Sequence, residues 1–209
     1  MKSLKAVFFD VDGTLYRSRE YEEYLLSEIV AVISEFLETS RSESYRRLAD
    51  VKKAVKTVSK SVELLGIDRK KFYDRLAERV SPNLYIFPKS DVAGLLQNLR
   101  KKNFFVGLHT NSGRRLAEKV LKSLGIQSDC YDVIVTSDDA EPKPHPEGFL
   151  LLLRHAGCNP SRALYVGDRC EVELEPAKKL GMNTAGIYVS NCVYADYVLN
   201  SLQDLLNII

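Results

Sequence analysis

The feature that most constrains this chain is FFDVDGTLY, Phe8 to Tyr16, close to its start. An apolar run, Leu4 to Phe9, breaks abruptly into two aspartates one residue apart, followed by Gly13 and Thr14. A strand that ends in carboxylates presents them at its C-terminal edge, where open α/β sheets bind ligands. Asp10 and Asp12 lie two positions apart and can both face one pocket. Like charges that close repel unless a cation sits between them or one carries a proton. Carboxylate oxygens suit hard cations such as Mg²⁺. The stretch reads as a Mg²⁺-assisted carboxylate site, with an acidic turn that merely caps a strand as the plainer alternative.

From Arg19 to Val80 the chain is rich in Glu, Lys, Arg, Leu and Ala and has no proline. Leu25, Ile29, Val32, Ile33 and Phe36 recur at helical spacing, as do Val51, Ala54, Val55 and Val58. Gly66 is a helix stop and Asp68 a cap, so the spacing predicts three or four helices between Arg19 and about Pro82. Alternating elements follow. They are a helix from about Lys89 to Lys102, a strand at Phe104–His109, a helix at Arg114–Leu124 and a strand at Asp132–Thr136. Next come a helix at Glu147–Ala156, a strand at Ala163–Val166, a helix at Glu173–Leu180 and a strand at Thr184–Val189. A short strand at Asp196–Val198 and a helix carrying Leu199, Leu202, Leu205, Leu206 and Ile209 complete the pattern. Strands alternating with helices imply a parallel sheet with right-handed crossovers.

Four strands end in different polar groups: Asp10 and Asp12, then Thr110 and Asn111, then Lys143 one loop beyond the third, then Asp168. A parallel sheet brings these ends to one edge. Together they suit phosphoryl transfer, which needs a nucleophile in line, a cation to spread charge and donors for the equatorial oxygens.

The order and context of these residues resemble the haloacid dehalogenase (HAD) superfamily, type with a helical C1 cap. DVDGT at Asp10 to Thr14 matches its first motif and FFVGLHTNS with Thr110 its second. KPHPEGF with Lys143 matches the third, and GDRCEVE with Asp168 and Glu173 the fourth. AKKLGM, Ala177 to Met182, resembles the family's continuation. The resemblance implies a Rossmann-like α/β core at residues 1–16 and 88–209, with a small all-helical cap inserted after the first strand at residues 17–87. Tyr16 to Arg19 and Ile86 to Lys89 would be the hinges.

It also implies roles. Asp10 would attack phosphorus and form an aspartyl-phosphate. Asp12 would protonate the leaving oxygen and then activate water. Mg²⁺ would be held by Asp10, the Asp12 backbone carbonyl and Asp168, with Glu173 as a ligand or an outer partner. Thr110 and the Asn111 backbone N–H would cradle phosphoryl oxygens, and Lys143 would offset negative charge. Taken singly, Thr110 and Asn111 could merely turn the chain, and a lysine among prolines is usually solvated. Glu171 competes with Glu173, whose register to AKKLGM favours it.

An aspartate at position 12 points, within such a family, to phosphomonoester hydrolysis or phosphomutase chemistry. The leading expectation is a phosphatase acting on a sugar phosphate, nucleotide or phosphoglycolate. A β-phosphoglucomutase-like mutase is the runner-up and a non-catalytic binding protein the third. Lys52, Lys56 and Lys60 form a basic stripe that either attracts an anionic substrate or is a solvated helix face.

Composition narrows the rest. At 209 residues, 45% hydrophobic and 28% charged, the chain is globular, and a net charge of +2 gives no reason to expect nucleic acid as a partner. No apolar stretch approaches a membrane span. Cys130, Cys158, Cys170 and Cys192 form no CxxC pair, which fits neither a zinc site nor a dense disulfide framework and makes a reducing cytoplasm the default. Cys170 is read as filler rather than a redox-sensitive group. Oligomeric state is not readable.

Overall fold

The computed structural model describes residues 4–88 and 91–209. Six strands form one parallel sheet: β1 (Ala6–Asp10), β2 (Phe105–His109), β3 (Val133–Val135), β4 (Ala163–Gly167), β5 (Asn183–Ile187) and β6 (Tyr197–Leu199). Their order is β3-β2-β1-β4-β5-β6. The first strand is therefore central, and all five of its residues are buried. Strands covered on both faces become continuous apolar runs, which is why AVFF precedes the aspartate. Successive side chains point to opposite faces. Val7 and Phe9 pack with Leu95, Leu96 and Leu99 of α5 (Val92–Lys101) and with Leu116 and Val120 of α6 (Arg114–Ser123). Ala6 and Phe8 pack with Phe149 and Leu152 of α7 (Glu147–Ala156) and with Ala177 of α8 (Glu175–Lys179).

The chain leaves β1 toward β2 and β3 on one side and later returns to β4, β5 and β6 on the other. The β1–β4 boundary is thus the switch point at which such sheets open a crevice at their C-terminal ends. Asp10 closes β1 and Asp168 follows β4 at that crevice.

Four helices lie between β1 and α5: α1 (Arg19–Leu37), α2 (Arg41–Val55), α3 (Val58–Leu64) and α4 (Arg69–Arg79). Each starts at a short polar side chain that takes an orphan backbone N–H. Ser18 accepts from Tyr21, Ser40 from Glu43, Thr57 from Lys60 and Asp68 from Lys71. Ile29, Val32 and Ile33 of α1 and Phe72 and Leu76 of α4 join the apolar cluster that holds Val7 and Phe9, so these helices share a core with one face of the sheet.

Several boundaries differ from the sequence reading for local reasons. The third strand is shorter than Asp132–Thr136. Asp132 turns its carboxylate onto the Val106 N–H and Arg100, and Thr136 is held by Asp139 through both N–H and hydroxyl. The fifth strand stops at Ile187 because Tyr188 adopts a left-handed conformation, φ 58°. The predicted Glu173–Leu180 helix begins instead as a π-helical turn, Cys170–Leu174, before α8. The last strand runs to Leu199, and the tail, Leu202–Asn207, is a 3₁₀ helix boxed by Ser201 and Asp204. Val58 opens α3 rather than continuing α2, since Lys56 turns left-handed at φ 56°. Helix α5 begins after Asp91, whose carboxylate accepts from the Gly94 N–H at 2.7 Å. The expected start and hinge limit at Lys89 fall outside the described residues.

The cysteines depart most from expectation. Cys170 and Cys192 form a disulfide with Cα atoms 5.6 Å apart, so Cys170 is not mere filler. Cys130 and Cys158 are free. No described helix is long and apolar enough to cross a membrane.

Lys119 of α6 reaches across to α4, where its ammonium donates to the carbonyls of Ala77 and Val80. A cation at a helix C-terminus satisfies carbonyls that have no partner within the helix. Lys119→Met is expected to destabilise the protein by about 1–2 kcal/mol, read as a drop of a few degrees in the thermal unfolding midpoint.

Candidate active site

Asp10 ends β1 almost fully buried, with its Oδ1 accepting from the Lys143 ammonium. Its Oδ2 is buried and has no hydrogen-bond partner among the described residues. Two residues on, Asp12 is fixed from three sides. Its Oδ1 accepts from the Tyr16 hydroxyl at 2.7 Å, and its Oδ2 accepts from Thr110 Oγ1 at 2.8 Å and Ser112 Oγ at 3.4 Å. The Thr110 hydroxyl expected at a phosphoryl oxygen is thus directed at Asp12. Asn111 pairs reciprocally with the lysine's backbone: its Oδ1 accepts the Lys143 N–H at 2.7 Å and its Nδ2 donates to the Lys143 carbonyl at 3.0 Å.

Lys143 is wholly buried. Besides Asp10, its ammonium donates to Glu173 Oε1 at 3.2 Å, the His109 carbonyl at 3.2 Å and the Tyr165 hydroxyl at 3.4 Å. Glu173 is equally buried and fully engaged. Its Oε2 accepts the Asp168 and Arg169 N–H groups at 3.1 Å each, and its Oε1 also takes the Arg169 guanidinium at 3.0 and 2.8 Å. Gly167 permits this approach, since a Cβ there would lie 2.6 Å from Glu173 Oε2. Glu171 points away and pairs with Lys56 on the exposed seam. Between the two competing acids, geometry puts Glu173 in the cluster.

Three carboxylates, Asp10, Asp168 and Glu173, bring one oxygen each within 4.8 Å of one another. Against them stand two cations, Lys143 and Arg169. Burial and the Glu173 charge push Asp10 well above the ordinary carboxylate range. The same two causes raise Asp168 to about 6. Burial opposes ionisation of Glu173 as well, but Lys143 and Arg169 win and hold it at about 2. The two carboxylates that are pushed up are also those with an orphaned buried oxygen, Asp10 Oδ2 and Asp168 Oδ1. Gly13, at φ +99°, leaves room where a Cβ would stand 2.4 Å from Asp168 Oδ2. Crowded, under-neutralised oxygens of this kind fit a hard divalent cation. The donors already on Glu173 suit it to a supporting place beside such an ion.

A cavity of about 350 Å³ opens over these groups. Its floor is Asp10, Asp12, Asn111 and Asp168, and its far wall comes from the helices, with Tyr21, Leu25 and Tyr73 among the lining residues. The basic stripe divides here. Lys52 and Lys56 line the cavity, while Lys60 lies outside it, paired with Glu63.

All seven predicted site residues therefore meet at the switch point. The sequence reading missed Tyr16, Ser112, Tyr165, His109 and Arg169. Tyr165 and His109 are buried strand residues joined at 3.2 Å, with burial and then Lys143 holding the imidazole well below its usual pKa. Only Arg169, four residues before Glu173, left a readable signal, an i,i+4 charge pair.

Residues 4–181 match the family of haloacid dehalogenase-like hydrolases. The chain belongs to that family. This hydrolase is 32% identical over 206 residues to a glyceraldehyde 3-phosphate phosphatase from Methanopyrus kandleri, covering 88% of this chain and 84% of that one. It is 29% identical to a pyrophosphatase PpaX from Bacillus cereus, covering 99% and 96%. The crystal structure of an HAD phosphatase from Thermococcus onnurineus superposes with a TM-score of 0.74 at 28% identity, covering 98% and 97%. The relatives are phosphatases, and the HAD-like enzyme described here is a phosphoric monoester hydrolase.

The acid cluster gives a pH signature in metal-free protein. Asp168 binds its proton more tightly folded than unfolded, so its own contribution to stability grows as the pH falls from 7 to 5. The contribution of Glu173 runs the other way but is lost only below about pH 4.5. His109, held neutral by burial, loses stability over the same range, so the Asp168 contribution is read as a difference. In EDTA, wild type relative to Asp168→Asn should gain on the order of 1 kcal/mol from pH 7 to 5, discounted for the partial exposure of Asp168. Thermal melts at both pH values check this.

Proposed function

We propose that this hydrolase releases phosphate from a small phosphate monoester through an aspartyl-phosphate on Asp10, in a Mg²⁺-dependent reaction. The observation that carries the reading is the asymmetry of Asp10. One oxygen is held by a buried ammonium, while the other has no hydrogen-bond partner among the described residues, in a carboxylate that lines the cavity. In the first step an Asp10 oxygen bonds to phosphorus as the ester oxygen leaves, and Asp12 gives that oxygen its proton. In the second, Asp12 takes a proton from water as the water oxygen attacks phosphorus, which releases phosphate and restores Asp10. Tyr16, Thr110 and Ser112 hold Asp12 in one orientation for both transfers. Lys143 offsets negative charge beside the nucleophile, and the Asn111 pairing fixes the loop that carries it. The Asn111 N–H would face the phosphoryl oxygens, with the Thr110 hydroxyl serving Asp12. Asp10, Asp168 and the Asp12 carbonyl would hold Mg²⁺, with Glu173 beside it, and the ion would spread the charge of the phosphoryl group.

Residues 17–87 act as a cap over the core of 1–16 and 88–209. A cavity walled by both parts excludes water on closure. At about 350 Å³ it suits a substrate of a few carbons. The relative from M. kandleri makes glyceraldehyde 3-phosphate the first ester to try. The cytoplasm remains the proposed compartment, beside a disulfide that reducing compartments usually disfavour.

Phosphate release from a panel of esters, with glyceraldehyde 3-phosphate, phosphoglycolate, sugar phosphates, nucleotides and pyrophosphate, tests the reading. Release should need Mg²⁺ and stop in EDTA. Asp10→Asn should abolish it, because a carboxamide is not a competent nucleophile, and Asp12→Asn should lower kcat by roughly 10²–10⁴-fold. Near-normal turnover by Asp10→Asn would sink the covalent route. Isomerisation of a sugar phosphate without phosphate release would favour a mutase.

A further inference from the structure

The Cys170–Cys192 disulfide lies where a surface staple has no need to be. Cys170 is two residues beyond Asp168, next to Arg169, and opens the π-helical turn that carries Glu173. Cys192 sits in the connection between β5 and β6, far from the site in sequence. Both cysteines are half-buried rather than sealed in the core, and Val193 beside Cys192 is 85% exposed, which places the bond near the surface.

The β5–β6 connection is also held by Asp196, whose carboxylate accepts the Thr184 N–H at 2.9 Å and pairs with Lys178. Thr184 Oγ1 donates to the Tyr194 carbonyl of this connection, and the Ala195 N–H turns back on the Cys192 carbonyl. Two of its residues, Tyr188 and Asn191, hold left-handed conformations at φ 58° and 57°, which side chains disfavour unless the surroundings impose them. The joined loops also touch the helical segment twice. Glu171 pairs with Lys56 at the end of α2, and the Arg17 guanidinium sits 4.7 Å over the Tyr188 ring just before α1. One covalent bond thus ties together the loop of Asp168 and Glu173 and two of the contacts that hold the helices against the sheet.

We propose that Cys170–Cys192 is a thiol–disulfide exchange site, at which a dithiol reductant loosens the Asp168–Glu173 loop and lowers turnover. The catalytic part rests on the function proposed above; the structural part does not. A reductant thiolate attacks one sulfur, forms a mixed disulfide and releases the other cysteine as a thiolate. The second reductant thiol then displaces the first cysteine. The two electrons come from the dithiol, which ends as a disulfide, and its two protons end on Cys170 and Cys192. Oxidation reverses each step.

The test compares full-length protein in oxidised, dithiothreitol-reduced and reoxidised states. Alkylation in denaturant should count two thiols before reduction, Cys130 and Cys158, and four after. Hydrogen exchange in the peptide spanning 168–175 should speed up at least tenfold on reduction and recover on reoxidation. Ester turnover should fall several-fold in parallel. Cys192→Ser should match the reduced protein and ignore dithiothreitol. Four thiols in the oxidised protein would overturn the proposal, as would faster exchange confined to 188–196, since the bond would then be only a loop staple. A Cys192→Ser protein that still responds to dithiothreitol would assign the effect to another cysteine and also refute it. Exchange needs no substrate, so a failure to find a hydrolysed ester would count against the phosphatase reading alone.

Discussion

The structure depends on one buried ammonium. Lys143 has no exposed surface, and a charge so placed is tolerated only when paired and hydrogen-bonded. Its acceptors come from the end of β1, the end of β2, the middle of β4 and the turn before α8. Each element at the switch point thus contributes an oxygen to the same nitrogen. The register β1–β2 and β1–β4, the glycine at the end of β4 and the π-helical turn are all conditions for that convergence.

The same charge orders the acids around it. Glu173 pairs with both cations, Lys143 and Arg169, and stays ionised, which leaves Asp10 and Asp168 to bear the cost of crowding. Two carboxylates with orphaned oxygens beside a third that is saturated make a directional site. An incoming cation meets free lone pairs on one side and a finished hydrogen-bond network on the other.

What was legible in the sequence follows from this arrangement. Strand ends that break from apolar to polar residues announce themselves, so Asp10, Asp12, Thr110 and Asp168 were readable, whereas Lys143, among prolines, was readable only through the family resemblance of KPHPEGF. Tyr165 and His109 were not, because inside a strand they look like ordinary alternating core residues. The π-helical turn was hidden because Glu173 is drawn inward by Arg169 and Lys143, which no helical period encodes. The disulfide was hidden because its partners are 22 residues apart, on loops that only the β4–β5 pairing brings together. Equal spacing of Lys52, Lys56 and Lys60 said nothing of their different surroundings, since the chain breaks helix at Lys56.

Ser59 of α3 donates its hydroxyl to the Asn111 carbonyl at 2.7 Å. Asn111 in turn clasps the backbone of Lys143, whose ammonium holds Asp10. Helix position and nucleophile environment are therefore linked in series through three residues, with no bound molecule needed to relay between them. In such a linkage, a disturbance at the outer helix is transmitted as a change in how well the nucleophile is poised, and it would register in the rate of the chemical step before it registered in affinity.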